Sequence, residues 1–257
     1  LAEKVVKERG AAKIITATNV IAHIDDLHDT FSGIATLLDK ESVFIGEFPY
    51  LPDLLARNEF DTIYHEHLSY FSLHALTKLF EQHQLNLFDV KKMPVHGGSI
   101  RIYAAPSHSS QEPSLNLQRF LDNERALNLL DVKSYHSFAQ RVANIKNDLL
   151  DLLRKLRKEG KRVVGYGASA KGNVLFNYCG IGPDLIEYIV DSIPYKQGRF
   201  TPGTHIPIYP EKKLELDMPD YALILAWNFA DEIMRKQSKY REKGGQFIIT
   251  IPTLRIE

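Results

Sequence analysis

The stretch KRVVGYGASAKGNVLFNY, residues 161–178, constrains the fold more than any other. It reads strand, glycine turn, helix, and the remainder of the chain repeats the theme. IEYIVDS (186–192), YALILAW (221–227) and QFIITIP (246–252) are further strands, with NFADEIMRKQSKYREKGG (228–245) a helix between the last two. Strands that alternate with helices predict a mostly parallel sheet.

The front of the chain shows the same alternation. KIITATNVI (13–21) is apolar and β-prone, DDLHDTFSGIATLLDK (25–40) follows as a helix, and SVFIGEFPYL (42–51) is a second buried strand. In SLHALTKLFEQHQ (72–84), Leu73, Leu76, Leu79 and Phe80 fall at helical spacing. LNLFDVKKM (85–93) and SIRIYAA (99–105) are joined by only Pro94 to Gly98, a connection short enough to make them antiparallel. Residues 106–127 are polar and Pro/Ser-rich, as a linker would be. In 135–160, Phe138, Val142, Ile145, Leu149, Leu152 and Leu156 recur at steps of three and four, which predicts an amphipathic helix stopped by Gly160. The expected organisation is a domain over 1–106, a linker and long helix over 107–160, and a Rossmann-like domain over 161–257.

Gly165, Gly167 and Gly172 surround the point where a strand hands over to a helix. Glycines let a backbone approach a ligand, and free N–H groups at a helix start favour an anion. Lys171 could pair with a phosphate there, and Asp191 ends the next strand where an acid can hold ribose hydroxyls. The spacing G-x-G-x-x-x-x-G departs from the dinucleotide fingerprint, so an NAD-dependent oxidoreductase stays an alternative beside a turn that serves only chain geometry.

FDTIYHEHLSYFSL (60–73) crowds two histidines, a glutamate and two tyrosines into a few positions. Zinc is one option through His65, Glu66 and His67, but no cysteine lies nearby and no metal pattern completes the set. No G-x-S-x-G elbow supports a hydrolase. A polar loop is the plain alternative. With 32 basic and 32 acidic residues the chain shows no broad attraction to nucleic acid or membrane. The lone Cys179 excludes a disulfide within the chain, and no apolar run approaches the roughly 18 residues of a membrane span. A cytoplasmic globular protein is expected.

The same string, with NVIAHIDDL before it and PVHGGSIRIYA after it, resembles the sugar C-methyltransferases that use S-adenosylmethionine (SAM) on nucleotide-linked 4-keto deoxysugars. GYGASAKGNVLFNYCGI and DSIPYKQGRFTPGTHIPIYP resemble the carboxy-terminal domain of that family. The resemblance runs from about residue 10 to the end. It implies the second half of a class I methyltransferase sheet followed by the Rossmann-like domain.

It also implies roles. The family's general base ends a Tyr-x-Glu-His string, here Tyr64, Glu66 and His67. Histidine can take a proton near neutral pH, a carboxylate such as Glu66 can orient it, and Tyr64 can donate to the developing oxyanion. His23 matches a second active-site histidine. His65 is read as structural. On the substrate side the expected residues are Gly165, Gly167, Lys171, Gly172 and Arg199 for the pyrophosphate, with His96 and Arg101 reaching the sugar. The cofactor is SAM; its binding residues are not identified in this sequence, and no metal is expected. The family's cysteine-rich zinc segment and SAM glycine loop would precede residue 10, so the chain reads as a fragment. Half a parallel sheet leaves an apolar edge, which predicts a homo-oligomer or a rearranged amino-terminal region. A non-catalytic nucleotide-sugar-binding protein is a further alternative.

Overall fold

The computed structural model describes residues 1–94 and 97–257. The chain folds into two compact units: residues 1–56 and 65–136 form the first, and residues 57–64 and 137–257 the second.

In the first unit, helix α1 (Ala2–Arg9) precedes strand β1 (Ala12–Thr18), and α2 (Leu27–Leu37) leads directly into β2 (Leu38–Pro49). Helix α3 (Leu51–Ala56), then α4 (Leu73–Gln82), strands β3 (Leu85–Met93) and β4 (Ser99–Pro106), and helix α5 (Leu115–Ala126) complete it. The sheet runs β1-β2-β4-β3. β1 and β2 are parallel, whereas β4 is antiparallel to both β2 and β3, as the short connection requires. Phe31, Phe44, Phe48, Leu73, Leu76 and Phe80 fill the core. Helix α4 starts because the Ser72 side chain accepts from the Ala75 N–H, and its apolar stripe is buried as the spacing predicts. β1 is an edge strand, with Ile14 62% exposed.

The stretch expected as a linker contains α5. Its Leu117 joins the core, and the buried Glu124 accepts the N–H groups of Leu73 and His74 at the start of α4. The polar, proline-rich composition of 106–114 concealed a helix whose only core contribution is narrow.

Helix α6 (Val132–Lys158) carries the chain into the second unit. There Val142, Ile145, Leu149, Leu153 and Leu156 are buried on one face. β5 (Val163–Tyr166), α7 (Ala170–Cys179), β6 (Ile189–Asp191), β7 (Ile208–Pro210) and α8 (Lys212–Asp217) follow. β8 (Tyr221–Ile224), α9 (Ala230–Lys236), α10 (Ser238–Glu242), β9 (Gln246–Ile249) and β10 (Arg255–Ile256) end the chain. The single helix expected over 228–245 is two, interrupted at the buried Gln237. The sheet order is β10-β9-β8-β5-β6-β7, parallel from β7 to β9 with β10 antiparallel at its edge. The chain leaves β5 for β6 on one side and returns from β7 to β8 on the other. That reversal is the topological switch point of a doubly wound sheet, where ligands bind beyond the carboxyl ends of the strands.

Candidate functional site

In the first unit the site grows from the carboxyl end of β1. Asn19 turns the chain at φ 52°, its N–H donating to the Glu47 carbonyl at 3.0 Å. Ile21–His23 then form a single 3-10 turn that buries Ile21 and Ala22 and leaves His23 exposed. The segment after Glu66 is pinned to this turn: the N–H of Leu68 donates to the Ala22 carbonyl at 2.8 Å, and that of Ser69 to the same oxygen at 3.3 Å. His23 Nδ1 lies 2.7 Å from the Glu66 carbonyl oxygen. A carbonyl only accepts, so Nδ1 carries the hydrogen and, in the neutral ring, Nε2 keeps the lone pair. The rings of His23 and His67 stand 4.9 Å apart at 57°.

The structure thus brings His23 and His67 together. Glu66 contributes its backbone; its carboxylate is exposed and makes no hydrogen bond among the described residues, so the expected Glu66–His67 side-chain pairing is not formed. His65 is exposed. Tyr64 is half-buried and belongs to the second unit, so the string passes from one unit to the other between Tyr64 and His65. Arg101 is spent on the buried Glu47, with Nη2 and Nε at 2.8 and 3.1 Å from Oε2. His96 lies outside the described residues. Sequence reasoning passed over Tyr70. Its ring stands edge-on to His67 at 6.2 Å and lines a cavity of about 900 Å³ together with Ser72, His74 and Glu124. The signal was there: an aromatic residue three positions after the candidate base.

The segment Arg57–Tyr64 is held within the second unit by specific bonds. Asn58 donates to the Pro252 carbonyl at 3.1 Å and accepts from Arg141 at 2.8 Å. Phe60 is buried, 5.3 Å from the Tyr178 ring. Asp61 is 1% exposed and accepts from Trp227 Nε1 at 2.7 Å; burial pushes its carboxyl up to about 6. Lys171 belongs to the same cluster. Its ammonium sits 4.3 Å from the Trp227 ring centroid and 3.4 Å from Asn228 Oδ1, and burial lowers its pKa.

The glycine turn divides into two functions. A Cβ on Gly165 would meet Ile189 at 2.8 Å, and one on Gly172 would meet Leu225 at 2.8 Å, so these two are required by packing between elements. Gly167 holds φ +87°, a turn conformation that favours glycine. Ser169 caps α7 by accepting from the Gly172 N–H at 3.0 Å. Asp191 is buried and bonded within the unit. Its oxygens accept from Ala168 N–H, Ile193 N–H and Lys196 at 2.7, 2.8 and 3.2 Å, so it holds the turn after β5 and the loop after β6 in place. Arg199 stacks over the exposed Tyr195 at 4.1 Å. Among the described residues no three His, Cys, Asp or Glu side chains gather where they could hold a metal ion, and no helix is long and apolar enough to cross a membrane.

A sheet with a parallel pair, an antiparallel hairpin at its far end and histidines beyond its carboxyl edge agrees with a class I methyltransferase fold; a Rossmann-like unit follows it. Residues 2–90 match the model of a methyltransferase domain, and residues 94–252 match that of the C-methyltransferase C-terminal domain. The chain is 39% identical over 254 residues to the C-methyltransferase NovU of Streptomyces niveus, an alignment that covers 99% of this chain and 60% of that protein. The chain belongs to the C-methyltransferase family. It spans about three-fifths of the length of that curated relative.

Proposed function

We propose that this chain carries the proton-abstracting residues of a SAM-dependent C-methylation on a nucleotide-linked keto-deoxysugar. The observation that supports it is the His23–His67 pair, held on the backbone of Ala22 and Glu66. The carbon beside a ketone becomes a nucleophile once it loses a proton. His67 takes that proton on its imidazole, and the electron pair moves onto the carbonyl oxygen as an enolate. Tyr64 is assigned to that oxygen by its match to the family's string. His23, with its Nδ1–H fixed on the Glu66 carbonyl, keeps its Nε2 lone pair as an acceptor near the base. The second unit is assigned the nucleotide, through the Gly167 turn, the first N–H groups of α7 and Arg199.

SAM, the cofactor the family implies, supplies the methyl group. No residue of this chain is assigned to its binding. The chemistry assigned to this chain is therefore the proton step.

That step can be measured without methyl transfer. A full-length protein incubated with a dTDP-linked 4-keto-deoxysugar in deuterium oxide, with no SAM, is expected to exchange the proton beside the ketone. His67→Ala should slow that exchange by about a hundredfold or more. Exchange indifferent to His67 would refute the assignment.

A further inference from the structure

Trp227 joins three elements of the second unit. It opens the 3-10 turn Trp227–Phe229 after β8 and is buried. At the ring edge its Nε1–H donates to Asp61, in the 3-10 turn Phe60–Thr62. Over the ring face stands the ammonium of Lys171, the second residue of α7. The Asp61 and Lys171 charges also attract one another.

Burial of a carboxylate strips it of water, and the other Asp61 oxygen, Oδ1, is buried with no hydrogen-bond partner. Well-packed apolar side chains would fasten the same turn without that loss. What the bond to the indole adds is direction, because the carboxylate must face one N–H. The remaining bonds of the turn are local and fix only its shape. Thr62 donates to the Glu59 carbonyl through Oγ1 and N–H at 2.7 and 3.1 Å, and Ile63 N–H to the Phe60 carbonyl at 3.0 Å. Tyr64 follows Asp61 by three residues and is half-buried, so the orientation of this turn sets where Tyr64 stands. Lys171 lies two residues beyond Ser169, the cap of α7, yet its ammonium goes to Trp227 and to Asn228 Oδ1.

We infer that Asp61, Trp227 and Lys171 are positioning residues for the proton step: together they orient the turn that carries Tyr64 and tie it to the first turn of α7, and Lys171 serves this cluster, not a phosphate. The inference rests on the reading of Tyr64 as the donor to the enolate oxygen and names what holds it there.

The test is proton exchange beside the ketone in full-length protein, at saturating dTDP-linked 4-keto-deoxysugar in deuterium oxide without SAM. Asp61→Asn and Lys171→Gln are expected to slow exchange by about tenfold and to leave the calorimetric affinity for dTDP near wild type. The double variant should be no slower than the slower single one, since both act through one indole. Lys171→Arg keeps a cation on the ring and should recover most of the rate. Trp227→Phe removes the N–H and keeps an aromatic ring; it should be slowed like Asp61→Asn and carries the test where a charge variant fails to fold. A weakened dTDP affinity in Lys171→Gln, at an unchanged exchange rate, would put Lys171 on the diphosphate and overturn the inference. Variants that unfold at lower urea yet exchange at the wild-type rate would overturn it as well, since the cluster would then serve stability alone. Tyr64→Phe separates the two readings. Slowed exchange in Tyr64→Phe, with wild-type rates in the cluster variants, overturns the positioning alone. Wild-type exchange in Tyr64→Phe removes the Tyr64 assignment and the positioning with it.

Discussion

His23 donates its Nδ1–H to the backbone carbonyl of Glu66, not to a side chain, at 2.7 Å. The bond fixes a tautomer and ties the loop beyond β1 to the residue just before the candidate base. With the Leu68 and Ser69 N–H groups on the Ala22 carbonyl, it makes the position of His67 depend on His23. His23→Ala in a full-length protein is expected to lower kcat by about tenfold to a hundredfold while KM changes less, since orientation of a base acts on the transition state. A change confined to KM would assign His23 to substrate binding instead.

Asp61 makes a prediction about pH. Its carboxyl is raised from 3.8 to about 6, chiefly by burial. An acid with a folded pKa above its unfolded one binds its proton more tightly when folded, so its contribution to stability falls as pH rises through that window. Asp61→Asn should therefore gain stability relative to wild type on going from pH 4.5 to pH 7.5, by about 2 kcal/mol. Urea denaturation of both proteins at the two pH values checks it; a difference that is flat with pH would show that Asp61 ionises freely in the fold.

Trp227 is the donor that makes this burial tolerable. Trp227→Phe keeps most of the ring and removes Nε1–H, leaving the buried carboxylate without that bond. The expected loss is about 1–3 kcal/mol at neutral pH. In the Asp61→Asn background the same substitution should cost less, because the charge it serves is gone. Additive losses would show that the indole acts through packing alone.

Much of this was legible in the residues. The parallel character of the second sheet followed from strands alternating with helices, and the antiparallel hairpin from the short connection between β3 and β4. That His23 and His67 would serve one site was an expectation from a family resemblance, not from periodicity; the structure sets their rings 4.9 Å apart. What stayed hidden has physical reasons. β7 and β10 are three and two residues long, too short to show a pattern. Glu124 fell within the expected linker because nothing local reports that it caps another helix fifty positions away. Lys171 was expected on a phosphate because it follows a glycine turn; the sequence does not report that its ammonium stands over Trp227, whose Nε1–H donates to Asp61 more than a hundred residues earlier in the chain.

The glycine turn gives a test that separates packing from ligand approach. Gly172→Ala would set a Cβ 2.8 Å from Leu225 Cβ, a backbone-proximal atom with little room to yield. It should destabilise the second unit by about 1–3 kcal/mol even with no ligand present. Urea denaturation without ligand measures this, and an unchanged midpoint would return Gly172 to the role of a ligand-contacting glycine.

The two histidines flanking Glu66 differ in placement, and that difference should appear in turnover. His67 is half-buried, its ring set 4.9 Å from His23 and 6.2 Å from Tyr70, whereas His65 is exposed and belongs to neither ring contact. Removal of a base that must act before the methyl group moves is expected to lower kcat by on the order of a hundredfold or more. His67→Ala in a full-length protein should show that loss, with KM for the sugar nucleotide changed much less, and His65→Ala should stay within a few-fold of wild type. Tyr70→Phe keeps the ring edge against His67 and removes only the hydroxyl. It should therefore raise KM if that hydroxyl meets the sugar and leave kcat near wild type. Equal losses for His65→Ala and His67→Ala would mean that the string is needed for its shape alone, and the base would then have to be sought elsewhere in the protein.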